Sequence, residues 1–145
     1  DSSFRRVDSE RVADNRRVGF ADGFPFLLAN QGSLDELNTR LTQPVSMTRF
    51  RPNIVIQGVP AWAEDNWRSL VIGTVGFQVV KPCSRCVLTT VDPETGIKDA
   101  GTEPLKTLST YRKTPDGVIF GQNAIHLSSG RISVGDGVAI SQQES

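Results

Sequence analysis

The greatest capacity for chemistry in this chain sits in Pro82-Cys83-Ser84-Arg85-Cys86, where an arginine stands between two thiols. A thiolate attacks electrophiles and binds soft metals, and a guanidinium beside Cys86 favours thiolate over thiol. Several uses of such a pair are open. Two buried, inert cysteines are the plainest. A structural zinc site wants a full tetrahedral set of ligands, and beyond these thiols there is one histidine, His126, far along the chain. A thioredoxin-like redox pair wants a helix after the second cysteine, and no helical pattern follows Cys86. A disulfide between such near neighbours would close a very short loop and stabilise little, so chemistry is the better reason to look here.

A second constellation is Arg49-Phe50-Arg51-Pro52-Asn53, which opens the β-branched run Ile54-Val55-Ile56. With a strand running from about Phe50 to Gln57, alternate side chains share a face, so Arg49 and Arg51 could clamp an anionic oxygen with Asn53 beside them. Two surface arginines paired with Asp or Glu are the competing reading. Glu64, Asp65 and Asp92 are either proton donors near an opening or solvated loop charges.

These residues need elements to hold them. Leu70-Val71-Ile72, Gly73-Thr74 and Val75 to Val80 read as a hairpin that runs straight into Pro82-Cys83, and Val87 to Val91 reads as the next strand. The cysteines would then lie at the rim of a sheet. Pro25 to Ala29 reads as a buried strand, followed by a helix with Ser33 and Glu36 as its capping box and Leu34, Leu37 and Leu41 on one face. Trp62 and Trp67 flank a loop or single helical turn. Thr102 caps a second short helix with Pro104 in its first turn, and Ile119-Phe120, Asn123 to His126, Ile132 to Val134 and Val138 to Ile140 supply further strands. Short strands with Gly-rich reversals and two or three short helices predict a mostly β chain forming a closed or nearly closed β-barrel, with a sandwich as the alternative.

The bulk numbers fit one domain: 145 residues, with sixteen Lys+Arg against sixteen Asp+Glu. That balance gives no global field to gather nucleic acid or an anionic membrane, and no apolar run approaches the ~20 residues of a membrane span. A cytoplasmic chain is the expectation, without a nucleic-acid or membrane partner. Residues 1–22 form a polar segment, either poorly ordered or the end of a missing N-terminal half, and residues 23–145 form the barrel. The opening without Met, rich in Arg5, Arg6, Arg11, Arg16 and Arg17, reads as a cut through a longer protein.

Taken in order, Arg49 to Ile56, Trp62 to Trp67, Lys81 to Val91, Asp92-Pro93-Glu94-Thr95-Gly96, Glu103 to Leu108, Phe120-Gly121-Gln122-Asn123 and Val134-Gly135-Asp136 resemble the MOSC domain family, named for the C-terminal domain of molybdenum cofactor sulfurases. The likeness runs from Phe20 to Ile140 and is nearest the bacterial YcbX group and the mitochondrial amidoxime-reducing components. It implies a molybdenum-molybdopterin cofactor with Cys86 as metal ligand and catalytic centre, and Arg51, Asn53, Ser84 and Arg85 as cofactor contacts. It implies a parent oxidoreductase that reduces N-hydroxylated small molecules, amidoximes among them, fed by an electron-donor protein or an iron–sulfur domain. Catalytic relatives have an N-terminal half that contributes to the cofactor site, so this stretch alone is expected to be inactive. A non-catalytic cofactor or sulfur carrier, with a persulfide on Cys86, is the alternative function.

Overall fold

The structure is a computed structural model that describes residues 25–128 and 130–143. The polar segment expected over 1–22 lies outside them. In chain order come β1 (Pro25–Asn30), α1 (Gln31–Arg40), a 3-10 turn (Met47–Phe50), β2 (Ile54–Ile56), a 3-10 turn (Ala63–Asn66), β3 (Trp67–Ile72) and β4 (Val75–Arg85). A 3-10 turn (Val87–Thr90), α2 (Leu105–Leu108), β5 (Lys113–Thr114), β6 (Gly117–His126) and β7 (Val138–Gln143) complete the sequence.

The strands form one sheet in the order β2-β1-β6-β4-β3-β7, with β5 pairing the start of β6. β1 and β2 run parallel, with Leu28 opposite Ile54, and the other pairs are antiparallel. The expected barrel is therefore corrected to a curled half-barrel, open between β2 and β7 among the described residues. Closure needs the end strands to share a staggered ladder. β2 has three residues, between Pro52 and Pro60, which cannot donate to a ladder, so it offers too little edge for one.

The β3–β4 hairpin follows the sequence expectation: Ile72 pairs Val75 across Gly73-Thr74, and Gly73 takes φ +59°. The strand expected at Val87 to Val91 is instead a 3-10 turn, because the Thr89 and Thr90 hydroxyls bond back to the carbonyls of Cys86 and Val87 at 2.9 and 2.6 Å. Residues Ile132 to Val134 form no strand, whereas Ile119-Phe120 and Asn123 to His126 merge into one strand, β6.

The capping box is also reassigned. Asn30 caps α1, accepting from the Gly32 amide at 2.8 Å, while Ser33 and Glu36 serve tertiary contacts. Glu36 Oε1 accepts from Trp62 Nε1 and the Tyr111 hydroxyl, each at 2.9 Å, tying α1 to the segment after α2. Burial opposes the Glu36 charge more than any other single effect, but hydrogen bonds from Arg40, Trp62 and Tyr111 together outweigh it and hold its pKa below the ordinary value. The helix near Thr102 shrinks to α2, whose first turn is closed by Lys106 and Leu108 amides on the Thr102 and Pro104 carbonyls.

Alternation along β1 divides the core. Phe26 and Leu28 join Ile54, Ile56, Leu70, Ile72 and Phe77 on one face of the sheet, and Ala29 joins Leu34, Leu37, Phe50, Leu108 and Phe120 on the other. Gly121 of β6 packs closely against β1. It holds φ +88°, and a Cβ there would meet Leu27 Cδ1 at 2.9 Å and the Leu28 carbonyl oxygen at 3.0 Å. Gly121→Ala is expected to lower unfolding stability by about 2–3 kcal/mol, from the left-handed backbone and the clash together. Urea titration measures it, and a loss below ~0.5 kcal/mol would show that β1 moves aside freely.

Candidate functional site

The end of β4 positions the thiols. Strand alternation buries Cys83 and Arg85 partly and leaves Ser84 and Cys86 exposed, while Ser84 and Arg85 pair with Ile119 and Val118 of β6. Pro82 is tolerated in the strand because the ladder shifts register between Pro82 and Ser84, next to the missing N–H. Cys86 follows the last strand residue with φ −129° and ψ −173°. Its carbonyl accepts from the Thr89 amide at 3.1 Å and the Thr89 hydroxyl at 2.9 Å, so its backbone is fixed while its thiol meets solvent. The Cys83 sulfur accepts from Arg85 Nη1 at 3.1 Å.

Arg85 Nη2 donates to the Phe50 carbonyl at 2.6 Å, and its guanidinium lies 5.5 Å from the Phe50 ring centroid. Phe50 in turn stacks on Phe120 at 3.8 Å. The buried Arg85 Nε has no acceptor among the described residues. A buried donor without a partner costs about 1–3 kcal/mol, so the site retains one unmet demand for an acceptor.

The arginine constellation differs from its expectation. Residues 47–50 form a 3-10 turn and Arg51 takes the left-handed conformation at φ +54°, so Arg49 and Arg51 share no strand face. Arg49 turns to main chain, its Nη1 lying 3.5 Å from the Thr89 oxygen and 3.4 Å from the Glu103 oxygen. Arg51 is exposed and lines an open cleft of about 380 Å³ with Thr48, Pro93 and Glu94. Arg49 lines a neighbouring cleft of about 490 Å³ with Asp92, Thr95, Lys98 and Asp99. The Asp92 to Gly96 turn thus shares both clefts with the arginine turn. Asn53 joins β1 to the start of β2: its Oδ1 accepts from the Leu27 amide at 2.7 Å and its own amide donates to the Leu27 carbonyl at 3.0 Å.

Two of the candidate proton donors are withdrawn from the opening. Glu64 is fully buried, accepting from Asn30 Nδ2 at 2.9 Å and the Ser33 hydroxyl at 2.7 Å, and burial pushes its pKa up. Asp65 takes Arg112 Nη1 and Nη2 at 2.6 and 2.9 Å and Gln122 Nε2 at 3.1 Å. Asp92 stays at the surface, where its Oδ1 accepts from the Glu94 amide at 2.9 Å. The parts that sequence reasoning missed are Thr89 and the main-chain role of Arg49. Thr89 carried a local signal, a hydroxyl three residues after the cysteine; Arg49 carried none, because its partners are distant carbonyls.

Among the described residues no three His, Cys, Asp or Glu side chains gather as a metal site. The donor set fits a pterin-type group: an exposed soft sulfur, a buried Nε seeking an acceptor, and an exposed guanidinium on the neighbouring turn.

The described residues form a curled half-barrel with an exposed cysteine just past the end of its longest strand, whose last residue bonds the main chain of the arginine turn. The MOSC domain profile matches residues 15–139, and the chain belongs to that family. Mitochondrial amidoxime-reducing component 1 of Mus musculus is 46% identical over 133 residues, which span 84% of this chain and 38% of that protein. The Homo sapiens component 1 is 44% identical over the same shares, and component 2 of Rattus norvegicus is 51% identical over 72% of this chain and 30% of its own length. The chain thus spans well under half the length of these relatives. The crystal structure of YiiM from Geobacillus stearothermophilus superposes with a TM-score of 0.56 at 19% identity, covering 81% of this chain and 54% of that one, a likeness of fold.

The cytoplasmic location expected from composition is overturned by these relatives, each of which is named as mitochondrial. Among the described residues no helix is long and apolar enough to cross a membrane.

Proposed function

We propose that this chain is the molybdenum-cofactor-binding domain of an oxidoreductase that reduces N-hydroxylated compounds, amidoximes among them. The exposed Cys86 thiol, fixed through its carbonyl at the end of β4, is the observation that carries the reading. Cys86 would hold the metal, while Ser84, Arg85 Nε, Arg51 and the Nδ2 of Asn53 would hold the organic part of the cofactor. Bound there, a molybdenum–pterin group supplies a redox metal able to take oxygen from an N–O bond, with electrons restored by a donor protein or iron–sulfur domain.

The chain's own residues do the rest. Thr89 fixes the Cys86 backbone, Arg85 bonds the Cys83 sulfur and the Phe50 carbonyl and so ties the end of β4 to the arginine turn, and Arg51 offers charge-assisted hydrogen bonds at the cleft it lines with Pro93 and Glu94. A mitochondrial setting accords with the names of the relatives.

Metal analysis of the protein isolated from cells that make the cofactor, with benzamidoxime reduction by an artificial reductant, tests the reading. Molybdenum near one per chain with turnover is the expected result. A metal-free protein whose Cys86 takes up sulfur from a donor would mark a sulfur carrier instead.

A further inference from the structure

The residues assigned to the cofactor stand on two segments distant in sequence, the turn that ends at Arg51 and the end of β4 that carries Ser84, Arg85 and Cys86. Each segment sends an arginine across to the other's main chain. Arg85 Nη2 donates to the Phe50 carbonyl at 2.6 Å, one residue before Arg51. In the opposite direction Arg49 Nη1 reaches the Thr89 carbonyl at 3.5 Å, and Thr89 commits both its amide and its hydroxyl to the Cys86 carbonyl. The same Arg49 nitrogen lies 3.4 Å from the Glu103 carbonyl, which ties in the segment leading to α2. Phe50, fully buried and stacked on Phe120, fixes the floor under the Arg85 guanidinium.

An N–H aimed at a main-chain carbonyl is not available to an anionic ligand. Arg49 thereby differs from Arg51, although the two stand two residues apart: the Nη1 of Arg49 is turned to main-chain carbonyls, and the two side chains line different clefts. The Arg85 bond is short and charge-assisted, the Arg49 contacts at 3.4 and 3.5 Å are longer and shared between two carbonyls, and together they tie the two segments in both directions.

We propose that Arg49 and Arg85 form a reciprocal latch that sets the spacing between Cys86 and Arg51, and that Arg49 is a positioning residue for the metal-binding cysteine. The functional consequence rests on the reading of Cys86 as the metal ligand; the latch itself does not.

Amide hydrogen exchange on the metal-free protein tests the latch. Arg49→Met keeps the aliphatic stem and removes the donors, Arg49→Lys restores a charge, and Arg131→Ala is the control on an exposed cation. The Thr89 and Val91 amides, bonded to the Cys86 and Leu88 carbonyls, are expected to exchange roughly tenfold faster in Arg49→Met, with partial recovery in Arg49→Lys. The β3–β4 hairpin amides are expected to stay unchanged, as are all amides of Arg131→Ala. In loaded protein, kcat for benzamidoxime is expected to fall several-fold in Arg49→Met while KM stays within about twofold.

Thr89 and Val91 exchanging at the wild-type rate in Arg49→Met overturns the latch. Accelerated exchange with unchanged kcat overturns the positioning role. Accelerated exchange in a protein whose wild type binds no molybdenum upholds the latch and removes the cofactor reading, so the two fail separately.

Discussion

Cys86→Ser is expected to strip nearly all bound molybdenum and to lower benzamidoxime turnover by about two orders of magnitude or more, whereas Cys83→Ser retains most of both. The two cysteines stand three residues apart, yet their surroundings differ in kind. Cys86 is exposed and its backbone is held by Thr89, so the sulfur is presented outward on a fixed stem. Cys83 is half-buried on the other face of β4, and its sulfur already accepts from Arg85. A serine hydroxyl is a hard, protonated group at neutral pH and a poor ligand for a soft metal, so the substitution at Cys86 removes the bond to metal rather than weakening it. At Cys83 an oxygen still accepts from the guanidinium. Metal content by mass spectrometry and steady-state assay of both variants decide the matter. Equal losses in the two variants, or full metal in Cys86→Ser, would defeat the assignment of Cys86.

Where sequence and structure agree, the deciding interactions are local. The β3–β4 hairpin was legible because Gly73 meets the left-handed requirement of a tight turn inside the same few residues that form it. The exposure of Cys86 follows from its place just past the end of β4, although the ladder that feeds it shifts register between Val79 and Lys81 and again between Pro82 and Ser84. The strand expected over Val87 to Val91 was lost to chemistry that β-branching hides: two threonine hydroxyls bonding back three residues stabilise a turn instead.

Long-range partners account for the remaining differences. Arg49 and Arg51 share a face only on a strand, and the turn at 47–50 is held by Phe50 stacking on Phe120, seventy residues further along. Ser33 and Glu36 carry the spacing of a capping box, but burial against Glu64, Trp62 and Tyr111 recruits them elsewhere. No window of sequence contains those partners.

Glu64 gives the second large effect. Its carboxyl lies at the centre of a buried network in which Asn30 Nδ2 donates to Oε1, Ser33 donates to Oε2, and the Ser33 oxygen accepts from the Trp62 amide at 2.7 Å. Asn30 also caps α1 and bonds the Pro60 carbonyl at 2.7 Å, so one carboxyl joins β1, α1 and the loop before β3. Glu64→Ala orphans the Asn30 amide and the Ser33 hydroxyl in a dry interior, at a cost of about 2–4 kcal/mol. Glu64→Gln separates shape from charge. Burial raises the Glu64 pKa in the folded state, so between the unfolded value near ~4.3 and the raised folded value the native protein binds more protons than the unfolded chain. The slope of stability with pH is then negative: this contribution is complete below the unfolded pKa and is lost as pH rises through the folded one. Glutamine has no such titration. Urea unfolding of wild type and Glu64→Gln at a series of pH values from acid to neutral is therefore expected to show the variant gaining stability relative to wild type as pH rises. A difference that stays flat across that range would mean that the hydrogen bonds from Asn30 and Ser33 fully offset the burial of the charge, leaving Glu64 an ordinary carboxylate in an unusual place.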